Sequence, residues 1–167
     1  MEEIRNKIKE SGLVSIDLAD YTPKLTIEVI DLSTQLWQGF VLKEKDFRQW
    51  IKENEWKQYE GKVVLITCST EAIIPAWAYM LVGAALKDSA FFFSNTSIEE
   101  LTKQLIIQEI EKTELSKITD ARVIVKGCSK IPFPDFAMLE LTKFLLPHVK
   151  SLMFGEPCST VPIYKKK

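Results

Sequence analysis

The pattern of hydrophobic and polar positions predicts a regular alternation of strands and helices in the second half of the chain. Short apolar runs rich in β-branched or aromatic residues predict strands at 62–67, 90–95, 121–127 and 151–155. Helical spacing between these runs predicts helices at 75–87 and 97–112, and a third that Pro134 opens and Pro147 ends. Such alternation is typical of parallel strands joined by right-handed crossovers, with helices covering the sheet.

The first half is less regular. Ile4 and Ile8 lie one turn apart and predict a short helix over 2–11, and the spacing of apolar residues predicts another over 44–56. Partly alternating runs at 13–18 and 25–32 predict strands. The predicted fold class is therefore α/β: a mostly parallel sheet covered by helices, with extra N-terminal β-strands at an edge or in a small β-layer.

The length of the chain predicts its domain organisation. With 167 residues it is in the range of a single domain that buries a core of its own. We expect one domain over 1–167, with an N-terminal β/α extension (1–60), a βα-repeat portion (61–164) and a basic tail (165–167). The tail is expected to be solvated and frayed.

Composition and charge exclude several classes of function. The net charge is −1, from 22 basic and 23 acidic residues, so nothing in the total charge favours nucleic acid or an anionic membrane as a partner. The longest apolar run, 72–86, contains Pro75 and is too short for a comfortable membrane span. The charged N-terminus lacks the apolar core of a signal peptide, so we expect a cytoplasmic protein.

Each of the three cysteines follows a predicted strand and precedes a serine. The pairs are Cys68-Ser69, Cys128-Ser129 and Cys158-Ser159, and the cysteines are spaced 60 and 30 residues apart. Because a βα unit takes about thirty residues, these are equivalent places in different units. Sites in open parallel sheets lie outside the carboxyl ends of the strands. If the strands at 62–67, 121–127 and 151–155 are neighbours, the three thiols converge on one site.

Three thiolates suit either of two cofactors: a zinc ion with a fourth ligand or open position, or an iron–sulfur cluster with one unfilled corner. The serines that follow the cysteines offer hydroxyl and N–H donors as a second shell of the site. Glu71 and Glu156 fall near the same end and are candidate ligands or acid/base groups. The single histidine, His148, falls at the opposite end of the predicted sheet and is excluded.

Two other interpretations of the cysteines remain open. Cysteine packs like a small hydrophobe, so all three can be core residues of a protein-interaction module. Alternatively, Cys158 in the sequence GEPCSTVP acts as a thiolate nucleophile. No histidine is placed to act as its base, which disfavours a Cys–His hydrolase, whereas persulfide carriage requires only an accessible thiolate. The chain has no C-x-x-C pair, which would be a stronger signal of metal or redox chemistry.

Three segments carry a resemblance to a known family: SLMFGEPCSTVPIYKKK at the C-terminus, VVLITCSTEAIIPAWAYML in the centre and GFVLKEKDFRQWI before it. They resemble an uncharacterised bacterial family catalogued as domain of unknown function 2480. The resemblance covers essentially the whole chain, and GEPCSTVP is its most specific part. Genes for such proteins often lie near those of the SUF iron–sulfur assembly system. The resemblance therefore implies a role in cluster assembly or sulfur handling, with iron–sulfur assembly proteins as partners, but no established activity and no catalytic residue.

Overall fold

The computed structural model describes residues 12–127, 130–156 and 158–167, so the predicted helix at 2–11 lies outside the described residues. The strands are β1 (Leu13–Asp17), β2 (Ile27–Asp31), β3 (Val63–Thr67), β4 (Phe92–Ser94), β5 (Arg122–Lys126), β6 (Ser151–Glu156) and β7 (Ser159–Lys165). The helices are α1 (Glu44–Glu53), α2 (Ala76–Leu86), α3 (Ile98–Glu111), α4 (Leu115–Ile118) and α5 (Pro134–Leu145). Single 3₁₀ turns occur at Leu18–Tyr21, Leu32–Gln35 and Trp56–Tyr59.

The strands form two sheets in the described part of the chain. Sheet 1 has the order β1-β5-β6-β7, in which only β7 runs antiparallel to its neighbour, and sheet 2 has the order β2-β3-β4 with all strands parallel. The predicted α/β class is therefore confirmed. The N-terminal strands β1 and β2 each form one edge of a sheet, as expected.

The chain divides into two compact units. The first unit is Met1–Pro23 with Thr102–Lys167, and the second is Lys24–Leu101. The first unit holds sheet 1 and the second holds sheet 2, and in each the parallel strands follow one another with helices between them. This division describes packing within each unit, so the single domain over 1–167 stays a prediction.

The core of the first unit lies between one face of sheet 1 and the helices that follow its strands. Val123, Val125 and Leu152 point to this face because alternate residues of a strand share a side. Leu141 and Leu145, one helical turn apart on α5, are completely buried against them. The buried residues are two positions apart along the strand and four positions apart along the helix, so each segment turns one apolar face to the common core.

The core of the second unit has the same design. Val64 and Ile66 of β3 contact a stripe on α2 that consists of Ala78, Val82 and Leu86, each fully buried and four residues from the next. Phe47 of α1 joins this cluster, and its ring lies 5.8 Å edge-on from that of Trp77. Helix α2 is apolar nearly all round, but this one stripe anchors it to the sheet.

The condition for a shared three-cysteine site, that the three strands before the cysteines are neighbours, is met by only two of them. Strands β5 and β6 are parallel neighbours, with Val125 paired to Phe154, but β3 lies in sheet 2 between β2 and β4. The reason is that the two N-terminal strands belong to different sheets. Strand β1 pairs with β5 in sheet 1, and β2 pairs with β3 in sheet 2. The strand before Cys68 is therefore separate from the sheet that carries the other two cysteines.

The C-terminus forms a strand that the sequence pattern did not predict. Strand β7 pairs antiparallel with β6, and beyond it the N–H of Lys166 donates to the carbonyl of Lys150 at 2.9 Å. Nζ of Lys166 also lies 3.1 Å from Oδ1 of Asp120. The expected fraying of 165–167 is therefore wrong for Lys165 and Lys166. The sequence pattern missed this strand because it contains Pro162, and a proline argues against a strand. Proline cannot donate a hydrogen bond to a ladder, so it is confined to edge strands such as β7.

Candidate functional site

Cys158 lies at the tip of the β6–β7 hairpin. The last residue of β6, Glu156, pairs with the first residue of β7, Ser159, so the connection consists of only two positions, 157 and 158. The Cys158 side chain is a free, exposed thiol. A two-residue connection projects its side chains from the end of the sheet, so the thiol is accessible to a partner molecule.

Gly155 determines the shape of this hairpin. Its φ of +121° is a backbone conformation that side chains disfavour, and a Cβ built there would lie 2.5 Å from the carbonyl oxygen of Ser159. Both observations require glycine at this position. The glycine of GEPCS therefore sets the close approach of the two strands that carry Cys158.

The neighbouring strand leads towards the second cysteine. Strand β5 runs parallel to β6, and Cys128 follows its last residue, Lys126, by two positions. Cys128 and Ser129 themselves lie outside the described residues. The structure therefore shows that the strand ends preceding Cys128 and Cys158 are neighbours, as the sequence predicted for this pair.

His148 is at the wrong end of sheet 1 to act on Cys158. It lies three positions before Ser151, the first residue of β6, and its ring lies 5.9 Å from that of Phe144 on α5. Cys158 follows the other end of β6. Six residues of strand separate the two ends, or about 20 Å at a rise of about 3.3 Å per residue. The predicted position of His148, at the opposite end of the strand from Cys158, is confirmed.

Cys68 belongs to the second unit and has a different environment. It follows β3 directly, is half-buried, and its Sγ lies 3.3 Å from Oγ1 of Thr70. The contact with the hydroxyl satisfies the thiol locally. Compared with Cys158, Cys68 is the less accessible thiol.

The serine after Cys68 is bonded to the neighbouring strand end. The N–H of Ser69 donates to Oδ1 of Asp31 at 3.0 Å, and the hydroxyl oxygens of Ser69 and Ser33 also lie 3.0 Å apart. The N–H of Ser33 donates to Oδ1 of Asp31 at 2.9 Å. The Ser69 hydroxyl, and then these N–H donors, lower the pKa of Asp31 from 3.8 to about 2. In this structure Ser69 thus stabilises a carboxylate.

The other predicted site residues lie on the surface. Glu71 follows Cys68 in an exposed loop, and Glu156 and Ser159 flank Cys158 in the hairpin, also exposed. Among residues 12–127, 130–156 and 158–167, no group of three His, Cys, Asp or Glu side chains is arranged to hold a metal ion. No helix in the described ranges is both long enough and apolar enough to cross a membrane.

The sequence contains a signal for Asp31 that the prediction did not use. The tripeptide Ile-Asp-Leu occurs at 16–18 and again at 30–32, at the ends of β1 and β2. In both places the aspartate accepts the N–H two residues later and caps a 3₁₀ turn, at 3.0 Å for Asp17 and 2.9 Å for Asp31. This repeat marks the first strand of each sheet.

Fold and site together define an α/β protein with parallel sheets and thiols placed after strand carboxyl ends. The chain matches the family described as Protein of unknown function (DUF2480) over residues 2–166, and it belongs to that family. No curated protein and no solved structure matches it. The family resemblance of the sequence is thereby confirmed, and it assigns no activity.

Proposed function

We propose that the protein is a thiol-dependent sulfur carrier that uses Cys158. The observation that carries this proposal is the exposed thiol at the tip of a two-residue hairpin. A carrier must present its sulfur to two different partners, and a projecting hairpin makes the thiol accessible to both. Gly155 permits the close approach of β6 and β7 on which this hairpin depends.

The chemistry of loading requires no base or metal in the protein. The Cys158 thiolate attacks the outer sulfur of a donor protein persulfide, R–S–SH. The S–S bond of the donor breaks as the new S–S bond forms, which yields the Cys158 persulfide and the donor thiolate R–S⁻. No net oxidation occurs, and the sulfane sulfur passes on by the same exchange. Iron–sulfur assembly proteins in the cytoplasm are the donors and acceptors that we propose.

A mass measurement tests this proposal. The reduced full-length protein is incubated with glutathione persulfide, alkylated without reduction, digested and analysed by mass spectrometry. We expect one added sulfur on the Cys158 peptide and none after Cys158→Ser. Cys68→Ser is the matched control and should leave the uptake unchanged. Uptake that survives Cys158→Ser, or that Cys68→Ser removes, would refute the assignment to Cys158.

The three-cysteine site for zinc or an iron–sulfur cluster is a second candidate function. One observation favours it: the strand ends that precede Cys128 and Cys158 are parallel neighbours. Cys68 belongs to the other unit, so its part in the site has no support from the described residues.

Metal and acid-labile sulfide are measured on protein purified without oxygen. Absence of both, together with no uptake on reconstitution, would exclude this function, whereas loss of bound metal in Cys68→Ser would establish the full set of three ligands.

A further inference from the structure

A pocket of about 570 Å³ lies at the carboxyl end of sheet 2, and all of its lining residues belong to the second unit. One wall comes from α2, and the other comes from the ends of β3 and β4 and the residue that follows β4. The lining residues are Ile66, Tyr79, Met80, Gly83, Phe93, Ser94 and Asn95. Its volume is in the range of small-molecule sites, and it lies beside the carboxyl ends of β3 and β4.

Two large apolar side chains that line the pocket are exposed to solvent. Met80 of α2 is 73% exposed and Phe93 of β4 is 38% exposed. Between them Gly83 contributes no side chain, and a Cβ at this position would lie 3.1 Å from Cε2 of Phe93. The absence of a side chain at residue 83 therefore lets the Phe93 ring pack directly against α2, while the rest of the ring stays exposed. A thioether and an aromatic ring are favourable contacts for a flat ring bound between them.

Polar groups at the rim have no partner in the described parts of the chain. The Tyr79 hydroxyl, the Ser94 hydroxyl and the Asn95 amide form no hydrogen bond with other described residues. Burial raises the pKa of Tyr79, and the neighbouring Cys68 raises it further, so this phenol is a hydrogen-bond donor at neutral pH. The lining has no charged side chain. A charged ligand would therefore lose its hydration without gaining an ion pair.

From these observations we infer that the pocket binds a small neutral molecule with a flat aromatic ring and a hydrogen-bonding group at its edge. The ring lies against Phe93 and Met80, and the polar edge faces Tyr79, Ser94 and Asn95. The inference is independent of the sulfur-carrier proposal, since it involves neither Cys158 nor the first unit.

The neutral fluorescent probe N-phenyl-1-naphthylamine tests this inference on the full chain. We expect a saturable rise in fluorescence with one probe per chain. Met80→Asp should weaken binding roughly tenfold or more, because a carboxylate beside the ring must be desolvated. Since Met80 is 73% exposed, this variant should fold normally. Leu139→Asp is the matched control: Leu139 is a 66% exposed helix residue outside the pocket, and its substitution should not change binding.

Gly83→Leu is a second variant, which fills the pocket instead of charging it. It should also abolish probe binding, and circular dichroism establishes that it is folded. Absence of saturable binding, or binding that Met80→Asp leaves unchanged, would overturn the inference. Light scattering tests whether the pocket is instead a self-association surface. If the protein is a dimer that Met80→Asp dissociates, the pocket is a contact between two copies of the chain. That result would also overturn the small-molecule site.

Discussion

The N–H of Ser69 donates to Oδ1 of Asp31 at 3.0 Å, which ties the residue after Cys68 to the end of the neighbouring strand. Strands β2 and β3 are already paired up to Asp31 and Thr67, so this bond extends the connection beyond the ladder. It fixes the start of the loop that carries Cys68 and Thr70. The carboxylate of Asp31 is therefore a structural anchor at the carboxyl end of sheet 2.

Asp31→Asn should make the protein less stable in a pH-dependent way. The folded state lowers the pKa of Asp31 from 3.8 to about 2, so its stabilising contribution is complete above pH 3.8 and is lost as pH falls through about 2. We expect Asp31→Asn to lower the free energy of unfolding at neutral pH by at most about 1 kcal/mol, because solvent screens this partly exposed group. Urea unfolding of both proteins at a series of pH values measures the difference.

Asp88→Asn provides the control for this experiment. Its side chain is 83% exposed beside Lys87, so the substitution should change stability little at any pH. The Asp31→Asn difference should shrink between pH 3.8 and about pH 2. A difference that stays constant over this range would show that the carboxylate charge is not its source.

Gly155→Ala should destabilise the hairpin that presents Cys158. Besides the unfavourable φ of +121°, the added Cβ would lie 2.5 Å from the backbone oxygen of Ser159, and neither atom can move away without breaking the strand pairing. We expect a loss of about 3 kcal/mol or more in the free energy of unfolding, since backbone strain alone costs about 1–3 kcal/mol. Chemical denaturation measures this loss.

Gly61→Ala is the matched control for backbone strain without a clash. Gly61 also has a positive φ, of +68°, but a Cβ there meets nothing within 4 Å. Its substitution should cost only about 1–2 kcal/mol. If both variants lost the same stability, close approach to Ser159 would not be the reason for glycine at 155.

Leu141→Ala and Leu139→Ala should differ greatly in stability, although both residues lie on α5. Leu141 is fully buried in the core of the first unit, whereas Leu139 is 66% exposed. Truncating a buried leucine leaves a cavity and costs about 2–5 kcal/mol, while exposed substitutions usually stay within about 0.5 kcal/mol. Thermal or urea unfolding of the two variants checks the prediction. Similar losses would contradict the assignment of the inward face of α5.

Most of the strands and helices were predictable because burial imposes periodicity on the sequence, whereas β7 and the short helix α4 were missed. Val63 to Ile66 are buried in succession, so β3 appears as a continuous apolar run, and the spacing of Ala78, Val82 and Leu86 marks α2. Strand order was not predictable in the same way. A continuous apolar run such as β3 does not specify which strand it pairs with, because its pairing with β2 depends on contacts between distant segments and not on local pattern.

The hairpin at Cys158 was only partly visible in the sequence. GEPCS contains the glycine and the proline that are typical of a turn, but Pro162 and the exposed face of β7 make this strand hard to recognise in the sequence. The prediction therefore placed Cys158 after a strand end correctly and missed that the chain reverses there. That reversal is what makes the thiol a projecting tip.

The two described thiols should differ in reactivity in the order that their environments indicate. Cys158 is exposed at the hairpin tip, whereas Cys68 is half-buried with its Sγ 3.3 Å from Oγ1 of Thr70. We expect iodoacetamide to alkylate Cys158 roughly three- to tenfold faster than Cys68, because access limits the reaction of the buried thiol. Peptide mapping of samples quenched at intervals measures both rates in one experiment. In denaturant the two rates should become similar, which separates the effect of folding from that of local sequence. Alkylation of Cys68 in the folded protein at the rate of Cys158 or faster would contradict both the accessibility argument and the choice of Cys158 as the sulfur-carrying residue.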